Sequence, residues 1–361
     1  MQLWAPTIDS DAKSRRLTPV TSLRVPKRLA PVVADFCCGM GGFSLAAAHA
    51  GLTPVFGLDT NSDAIKTYLR NFPSAVSVEG SVRSATAIDR CRSIFLQARS
   101  EGRSRIIVSG PPCQGFSIAG SRLRTDPRNQ IMDAVARTIV DLQPSCALIE
   151  NVPMILSSDH ETRLSRVVRT FKNGGYNVCS TTLDASEFGV AQRRKRVFFF
   201  VTREVIYSSE LQRQLSLRKQ PPVTVSEALR GIPSPPIRPN NYDDESCYGA
   251  FFNHFAMRHS EKVIKKIAAI SPGKGPMSYR RLHPEQAANT LFSGNRAPPA
   301  HFLEPRSITV REAARLQGFP DTFRVFGTFG NQMRQVTNAV PPPMAKVALE
   351  VLLELIGVQL P

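Results

Sequence analysis

The chain has 361 residues, of which 42% are hydrophobic and 21% charged, so it has the composition of a packed protein of about two domains and not of a disordered chain. Lys and Arg number 46 against 29 Asp and Glu, and the formal net charge of +17 favours a polyanionic partner, above all nucleic acid. The seven cysteines include no CxxC pair and none lies close to two histidines, so neither a structural metal site nor a disulfide framework is expected.

The two ends of the chain predict different structures. Residues 1–30 hold six bases and two acids and predict a basic N-terminal arm, with no apolar stretch of the kind that a signal peptide needs. In the apolar C-terminal run, Lys346, Glu350 and Glu354 recur every four residues, which indicates an amphipathic helix and not a membrane span. We therefore expect a cytoplasmic protein with reduced thiols, no bound metal and no membrane partner.

From residue 31 to about 205, short apolar runs alternate with longer amphipathic ones, which predicts a Rossmann-like, doubly wound α/β fold with a mostly parallel sheet. The predicted pairs of strand and helix are residues 32–34 with 43–50, 55–58 with 64–72, 106–108 with 131–142, and 147–149 with 164–171. The runs 178–183 and 197–201 have no helix between them, so we expect them to pair antiparallel.

The alternation of short apolar and amphipathic runs ends at about residue 205. Between about residues 205 and 305, Pro-rich and Gly-rich loops surround a basic helix candidate at residues 259–270. This predicts a second, smaller domain. The full partition is an arm (1–30), a catalytic and cofactor-binding domain (31–205, completed by 328–361) and a small domain with a hinge (206–327).

The first strand-to-helix junction reads Asp-Phe-Cys-Cys-Gly-Met-Gly-Gly from residue 35. Glycines let the backbone turn sharply next to a nucleotide, and the following helix points free N–H groups at it. Asp59 ends the next predicted strand, where an acid accepts hydrogen bonds from ribose hydroxyls in this class of fold. Together they favour an adenosine-containing cofactor, whereas Asp59 alone could be a helix N-cap.

Two further strand ends carry reactive groups. Cys113 follows two prolines that fix the backbone, which suits a rigid nucleophilic thiolate better than a buried inert cysteine. Glu150 leaves an apolar strand, so burial should raise its pKa and suit it to donating a proton, although a capping or ion-paired acid fits equally well. Arg194 and Arg196 stand two apart and should point to the same side, where they could hold a carbonyl, a carboxylate or a phosphate.

The order of these segments resembles that of DNA cytosine-5 methyltransferases, in particular bacterial modification methylases. The matching segments are Asp-Phe-x-x-Gly-x-Gly-Gly, Pro-Pro-Cys-Gln-Gly-Phe-Ser, Glu-Asn-Val, Gln-Arg-Arg-x-Arg, Arg-Glu-Ala-Ala-Arg-Leu-Gln-Gly-Phe-Pro and Gln-Val-Thr-Asn-Ala-Val-Pro-Pro. The resemblance spans residues 32 to 350. It implies the S-adenosylmethionine-dependent methyltransferase fold with a smaller target-recognition domain.

The resemblance also implies the roles of the catalytic residues. Cys113 would add to carbon 6 of a flipped-out cytosine, and Glu150 would hydrogen-bond or protonate ring nitrogen 3. Arg196 would hold the exocyclic oxygen of the base, supported by Arg194. The segment 115–128, with Gly, Ser and three arginines, would be a lid over the flipped nucleotide, or else an ordinary exposed loop.

For the cofactor, the resemblance implies contacts with S-adenosylmethionine from Gly39, Met40, Gly42, Asp59, Thr60, Val82, Ile131 and Asn338. The chain departs from the family where Cys37 replaces a common aromatic residue, Thr60 a larger residue that stacks on adenine, and Ser81 an Asp. Losing a stacked ring or a charge-assisted hydrogen bond weakens binding by about 1 kcal/mol each, so looser affinity is expected rather than lost activity.

The resemblance makes double-stranded DNA the expected partner of a monomeric enzyme, with a cognate restriction endonuclease that forms no stable complex. In the small domain, Lys262, Lys265, Lys266, Arg280 and Arg281 are expected to bind phosphates, although the three lysines could form an ordinary solvated helix face.

Two alternative functions remain open. A branch of the family methylates tRNA but carries a Cys-Phe-Thr tripeptide that this chain lacks. A non-catalytic DNA-binding protein would explain the charge but not the retention of Cys113, Glu150 and Arg196.

Overall fold

The computed structural model of the chain describes residues 29–112, 130–239, 247–248, 251–276, 279–292 and 298–359. Cys113 and the predicted lid at 115–128 lie outside these ranges, as does most of the predicted N-terminal arm. None of the helices within the described ranges has the length and the apolar run that crossing a bilayer requires.

Within the described residues, seven strands form one sheet. They are β1 (Val32–Phe36), β2 (Thr53–Asp59), β3 (Val76–Glu79), β4 (Arg105–Ser109), β5 (Cys146–Asn151), β6 (Asn177–Asp184) and β8 (Lys195–Thr202), in the spatial order β3-β2-β1-β4-β5-β8-β6. The first five strands in this order run parallel, and β8 runs antiparallel to both β5 and β6. The predicted doubly wound sheet and its antiparallel last pair are therefore confirmed.

Helices cover both faces of this sheet. They are α1 (Gly42–His49), α2 (Ser62–Asn71), α3 (Ala85–Ser100), α4 (Ile131–Leu142), α5 (Glu161–Asn173), α6 (Ser208–Ser216) and α11 (Pro342–Leu355). Side chains of α1, α6 and α11 form a buried core with one face of the sheet, and those of α3, α4 and α5 form another with the opposite face. The C-terminal helix thus packs back onto the first sheet, as predicted.

The sequence pattern did not predict β3 and α3. β3 has four residues, none of them fully buried, so its alternation is too short to give a clear signal. The buried residues of α3 lie on one stripe, but Leu96 is 56% exposed, which weakens the amphipathic pattern. The helix follows the N-cap Ser84, whose hydroxyl accepts from the Ala87 N–H. Their addition extends the sheet by one parallel strand beyond β2.

Short elements make up the rest of the described fold, and those at residues 217–328, between α6 and α10, form what we call the small region. They are β7 (Gln192–Arg193), α7 (Val225–Ala228), β9 (Cys247–Tyr248), β10 (Phe251–Phe252), α8 (Glu261–Ala268), β11 (Ala288–Asn289), α9 (Val310–Leu316) and α10 (Phe329–Asn338). β11 pairs in parallel with β7, just before the main sheet resumes at β8. A third apolar core joins this region to α2 and to the turn after β1. The domain boundaries at 205 and 328 stay a prediction.

One predicted phosphate contact has another role in the structure. The Arg281 guanidinium donates to the backbone carbonyls of His301, Ile270 and Leu303. These three hydrogen bonds occupy the head of the side chain and tie together loops of the small region. Arg280, by contrast, is exposed.

Candidate active site

The turn after β1 has a backbone that requires glycine. Gly41 has φ 94°, and a Cβ atom there would lie 2.4 Å from the Phe72 ring. A Cβ atom on Gly42 would lie 2.3 Å from the carbonyl oxygen of Val340. Gly39 differs, because its Cβ position faces open space with no atom within 4 Å. The turn is therefore packed tightly on the protein side and open at Gly39, where a ligand can approach the backbone.

Asp59, at the end of β2, stabilises this turn through hydrogen bonds. Its Oδ2 accepts a hydrogen bond from the Gly39 N–H (2.9 Å) and its Oδ1 accepts one from the Asn61 N–H (2.9 Å). The N-cap of α2 is Asn61, whose side chain accepts from the Ala64 N–H, so Asp59 is not the cap. Burial raises the pKa of Asp59, while its backbone hydrogen bonds act in the opposite direction. Each oxygen keeps acceptor capacity for a further donor such as a ribose hydroxyl.

The remaining predicted cofactor positions follow other strand or helix ends. Thr60 follows β2 and is exposed, Val82 follows β3 and is buried, and Ile131 begins α4 and is half-buried. Asn338 is the exposed last residue of α10. The side chain of Met40 is fully buried in the third core, so a ligand could reach this residue only through its backbone.

Glu150 and Arg196 form a buried ion pair on neighbouring antiparallel strands. Arg196 Nε lies 2.7 Å from Glu150 Oε1, although the N–H is not aligned with that oxygen as a hydrogen bond would need. Both side chains are largely buried, with 14% and 9% of their surface exposed. Burial raises the pKa of Glu150, opposed by the positive charges of Arg196 and Arg194. The carboxyl group thus has a raised proton affinity beside two cations.

Arg194 lies deeper than Arg196, in the short connection between β7 and β8, with 1% of its surface exposed. Its Nη2 donates to the Asn338 carbonyl (3.5 Å), and its backbone N–H donates to Asp184 Oδ1 (3.1 Å). Its Nε has no hydrogen-bond partner among the described residues. Burial lowers the pKa of this guanidinium well below its usual range, with the Arg196 charge acting in the same direction. An anion or a carbonyl oxygen next to it would relieve this cost.

The described chain leading to Cys113 lies against Glu150. A Cβ atom on Gly110, which follows β4, would stand 3.7 Å from Glu150 Oε2. Asn151 adds a second tie, since its Nδ2 lies 3.4 Å from the Pro111 carbonyl oxygen and donates to it. The two strand ends that carry the predicted nucleophile and acid are therefore held together just before residue 113. The sequence alone assigns no role to Asn151, although its position next to Glu150 indicates that it lies at the site.

Gln192 is a second residue whose role was missed. Its Oε1 accepts from the Leu291 N–H (3.1 Å), and its Nε2 donates to Gln317 Oε1. Gln317 in turn donates to the Ala339 carbonyl (2.7 Å), next to Asn338. Both glutamines are fully buried. They connect the segment that carries Arg194 and Arg196, the small region and the end of α10. In the sequence, this role is indicated only by their presence in two of the segments that carry the family resemblance.

The site has two adjoining parts at the carboxyl ends of the parallel strands. One combines an open glycine turn with a carboxylate at the adjacent strand end, which suits the ribose and the amino acid portion of an adenosyl cofactor. The other combines a protonatable acid with two guanidinium groups, which can stabilise a polar ring as charge develops on it.

The chain matches the family model "C-5 cytosine-specific DNA methylase" over residues 32–354. It is 30% identical to the Type II methyltransferase M.XorII of Xanthomonas oryzae pv. oryzae, covering 88% of this chain and 83% of that protein. It is 28% identical to the Type II methyltransferase M1.HphI of Haemophilus parahaemolyticus, covering 89% and 86% respectively.

Solved structures show the same architecture. A putative DNA modification methyltransferase encoded within an E. coli prophage superposes with a TM-score of 0.75 at 28% identity, covering 91% of this chain and all of that one. The Dnmt2 methyltransferase of S. pombe, at 16% identity and a TM-score of 0.62, shares the fold, with coverage of 90% and 99%. Because the family model matches residues 32–354, which is most of the chain, this chain belongs to the family of C-5 cytosine-specific DNA methylases.

Proposed function

We propose that this protein transfers a methyl group from S-adenosylmethionine to carbon 5 of a cytosine within a short, specific sequence of duplex DNA. The observation that carries the proposal is the buried contact between Glu150 and Arg196, beside the strand end that leads to Cys113, in a chain of this family. An acid with a raised pKa next to fixed guanidinium groups is suited to a neutral, polar ring such as cytosine.

The chemistry requires a nucleophile because carbon 5 of cytosine is too weakly nucleophilic to be methylated directly. In the proposal, the Cys113 thiolate forms a bond to carbon 6 and pushes electron density onto carbon 5. Carbon 5 would then bond to the methyl group, with S-adenosylhomocysteine leaving. Loss of the carbon-5 proton to a base would let the carbon–sulfur bond break, with its electron pair returning to sulfur, which restores both the ring and the thiolate. Resemblance supports this role of Cys113.

Glu150 and Arg196 would stabilise the charge that this addition creates. As the thiolate adds, negative charge moves toward ring nitrogen 3, where Glu150 donates a hydrogen bond or a proton. Arg196 would donate to the exocyclic oxygen of the base while its Nε keeps the Glu150 carboxyl group in place. Arg194, which is more deeply buried than Arg196, would add positive charge next to the Glu150 carboxyl group, and the Asn338 carbonyl helps to orient its guanidinium.

S-adenosylmethionine supplies the electrophilic methyl group when it is bound. The open side of Gly39 and the acceptor oxygens of Asp59 fit its amino acid and ribose portions. Gly42, Thr60, Val82, Ile131 and Asn338, and the backbone of Met40, would complete the contacts at the neighbouring strand and helix ends. The contact of Gly42 with Val340 would keep the glycine turn and the end of α10 close together.

Duplex DNA would bind both to the carboxyl ends of the parallel strands and to the small region, and the small region would serve as the target-recognition domain. Lys262, Lys265, Lys266 and Arg280 are exposed there and would contact phosphates. The reacting carbons are stacked inside a duplex, so the target cytosine must be flipped out to reach Glu150. The Type II relatives favour the role of a modification enzyme. In the proposal it acts as a cytoplasmic monomer, and its cognate endonuclease acts separately.

The test is methyl incorporation by the full chain. Bisulfite sequencing of DNA from cells that express the protein should show 5-methylcytosine at one short sequence, and Cys113→Ser should abolish it while the variant still binds DNA. Purified protein should label duplex DNA and not tRNA with radioactive methyl groups. Labelling of tRNA alone, or undiminished transfer by Cys113→Ser, would contradict the proposal.

A further inference from the structure

An apolar cavity of about 310 Å³ lies between the small region and α10. Its walls include Met257, Val263 of α8, Leu291 and Phe292 after β11, and Phe329 and Met333 of α10. Two of these side chains are also exposed to solvent, Phe292 by 43% and Met257 by 39%. The cavity is therefore open at one side, where an aromatic and a thioether side chain meet water.

Exposed cations neighbour several of the lining residues in the chain, and we call this set the cationic rim of the cavity. Arg258 and Arg334 are exposed and adjacent in the chain to Met257 and Met333 respectively, and Arg280 follows the lining residue Tyr279. On α8, Lys262, Lys265 and Lys266 are exposed on the helix that contributes Val263 to the wall, with Glu261 as the acid of that helix. Lys266 Nζ lies 4.6 Å from the centre of the Tyr279 ring. Apolar walls with a cationic rim suit a ligand that combines a flat ring with phosphates, which describes a nucleotide in a strand.

The cavity borders the catalytic site without containing it. Leu291 donates its N–H to Gln192 Oε1, and Thr290 Oγ1 donates to the Arg193 carbonyl (2.7 Å), so this wall is tied to the segment before Arg194. On the other side, the lining residue Thr337 precedes Asn338. Glu150, Arg194 and Arg196 are not among the lining residues. A nucleotide held here would therefore be distinct from the target cytosine but close to it.

We propose that this cavity receives a second base of the bound DNA, unstacked from the duplex, with its ring against Phe292 and Tyr279 and its neighbouring phosphates on the cationic rim. This inference rests on the proposed function, because it takes duplex DNA as the substrate. It assigns Phe292 a direct part in DNA binding. Ejecting a second base costs stacking energy, and a ring-lined cavity beside the catalytic site would offset that cost.

The test combines variants that remove the aromatic ring with one that fills the space. Phe292→Ala should weaken binding to the cognate duplex by about tenfold, the effect of losing one base–aromatic stack. Phe292→Tyr should bind like the wild type, whereas Phe292→Leu, which keeps apolar bulk without the ring face, should bind as weakly as Phe292→Ala. Gly330 lines the cavity and a Cβ atom there meets no atom within 4 Å, so Gly330→Leu should obstruct it and weaken DNA binding similarly. Leu303→Ala, at a 71% exposed residue that does not line the cavity, is the matched control.

The readouts are DNA affinity by fluorescence anisotropy, and unstacking reported by 2-aminopurine placed in turn at each non-target position of the site. One such position should respond on binding to the wild type and lose its response with Phe292→Ala. Binding of S-adenosylhomocysteine, measured by calorimetry, checks that each variant is folded. If Gly330→Leu does not bind it, the Phe292 variants alone test the cavity proposal. If the wild type methylates DNA but the Phe292 variants bind within twofold of it, the cavity proposal is overturned and the proposed function stands. A wild type that neither binds nor methylates DNA overturns both.

Discussion

The carbonyl oxygen of Val340 lies 2.3 Å from the position that a Cβ atom of residue 42 would occupy. Gly42 begins α1 at the start of the sheet, and Val340 connects α10 to α11 almost 300 residues later. Two distant segments of the chain therefore meet backbone to backbone at the predicted cofactor site. The side chain of residue 42 must be a hydrogen atom because a carbonyl oxygen cannot move aside as the end of a flexible side chain can.

Gly42→Ala should therefore destabilise the protein and weaken cofactor binding. Forcing a methyl group into a packed contact costs about 1–3 kcal/mol, and the shift it requires displaces the glycine turn relative to Asn338. The thermal midpoint and the Kd for S-adenosylhomocysteine measure the two effects. Gly330→Ala is the control, since a Cβ atom at that helical glycine meets no atom within 4 Å and should leave both values unchanged or slightly improved. Equal behaviour of the two variants would contradict the packing argument.

Asp59→Ala should weaken the binding of S-adenosylhomocysteine by about tenfold or more. The substitution removes the proposed acceptor for the ribose and also the partner of the Gly39 N–H, and a charge-assisted hydrogen bond contributes about 1.5–3 kcal/mol. Calorimetry measures the affinity. Glu79→Ala provides a matched acid, because Glu79 pairs with Asp59 in the strand register but is exposed. An affinity for Asp59→Ala within twofold of that control would show that Asp59 only shapes the turn.

The sequence predicted the strand ends better than the connections between them. The buried runs of β1, β4 and β5 are short, continuous and apolar, so the pattern located them and the charged or glycine-rich residues that follow. β3 was missed because its four residues are only partly buried. Long-range contacts cannot be predicted from the sequence, because no local pattern shows that Asn151 donates to the Pro111 carbonyl or that Gln192 donates to Gln317. The charge of Arg281 predicts a phosphate contact, and only the fold shows the three backbone carbonyls to which it donates.

Glu150→Gln should lower the kcat of methyl transfer by about 10²-fold or more while DNA affinity changes little. The amide keeps the shape of the side chain but cannot deliver a proton to the ring, and general acid catalysis typically contributes about 10²–10⁴-fold. Single-turnover methyl transfer and anisotropy with the same duplex separate the chemical step from binding. Asp133→Asn serves as the control, because Asp133 is a buried acid on α4 outside the proposed machinery. A loss of DNA affinity as large as the loss of kcat would assign Glu150 to binding instead.

Asp35 carries a carboxyl group whose ionisation opposes folding. It is 1% exposed, and its Oδ2 accepts from the Ser44 N–H (3.2 Å) and hydroxyl (2.8 Å), while its Oδ1 has no hydrogen-bond partner among the described residues. The Ser44 hydroxyl also shares a hydrogen bond with the Tyr68 hydroxyl (2.8 Å). Burial raises the pKa of Asp35 to about 8, against the hydrogen bonds from Ser44. The folded state therefore holds a proton that the unfolded chain releases near pH 4.

Because the folded state binds more protons, this group's contribution to stability is present at low pH and is lost as the pH rises toward about 8. Each pH unit between the two pKa values corresponds to about 1.4 kcal/mol at most. Asp35→Asn removes the titration, so its free energy of unfolding should fall less than that of the wild type between about pH 5 and about pH 8. Urea denaturation followed by circular dichroism at the two pH values measures the difference. Asp89→Asn, at a 68% exposed acid on α3, should follow the wild type. If Asp35→Asn loses as much stability as the wild type over this range, the Asp35 carboxyl group does not hold the proton in the folded protein.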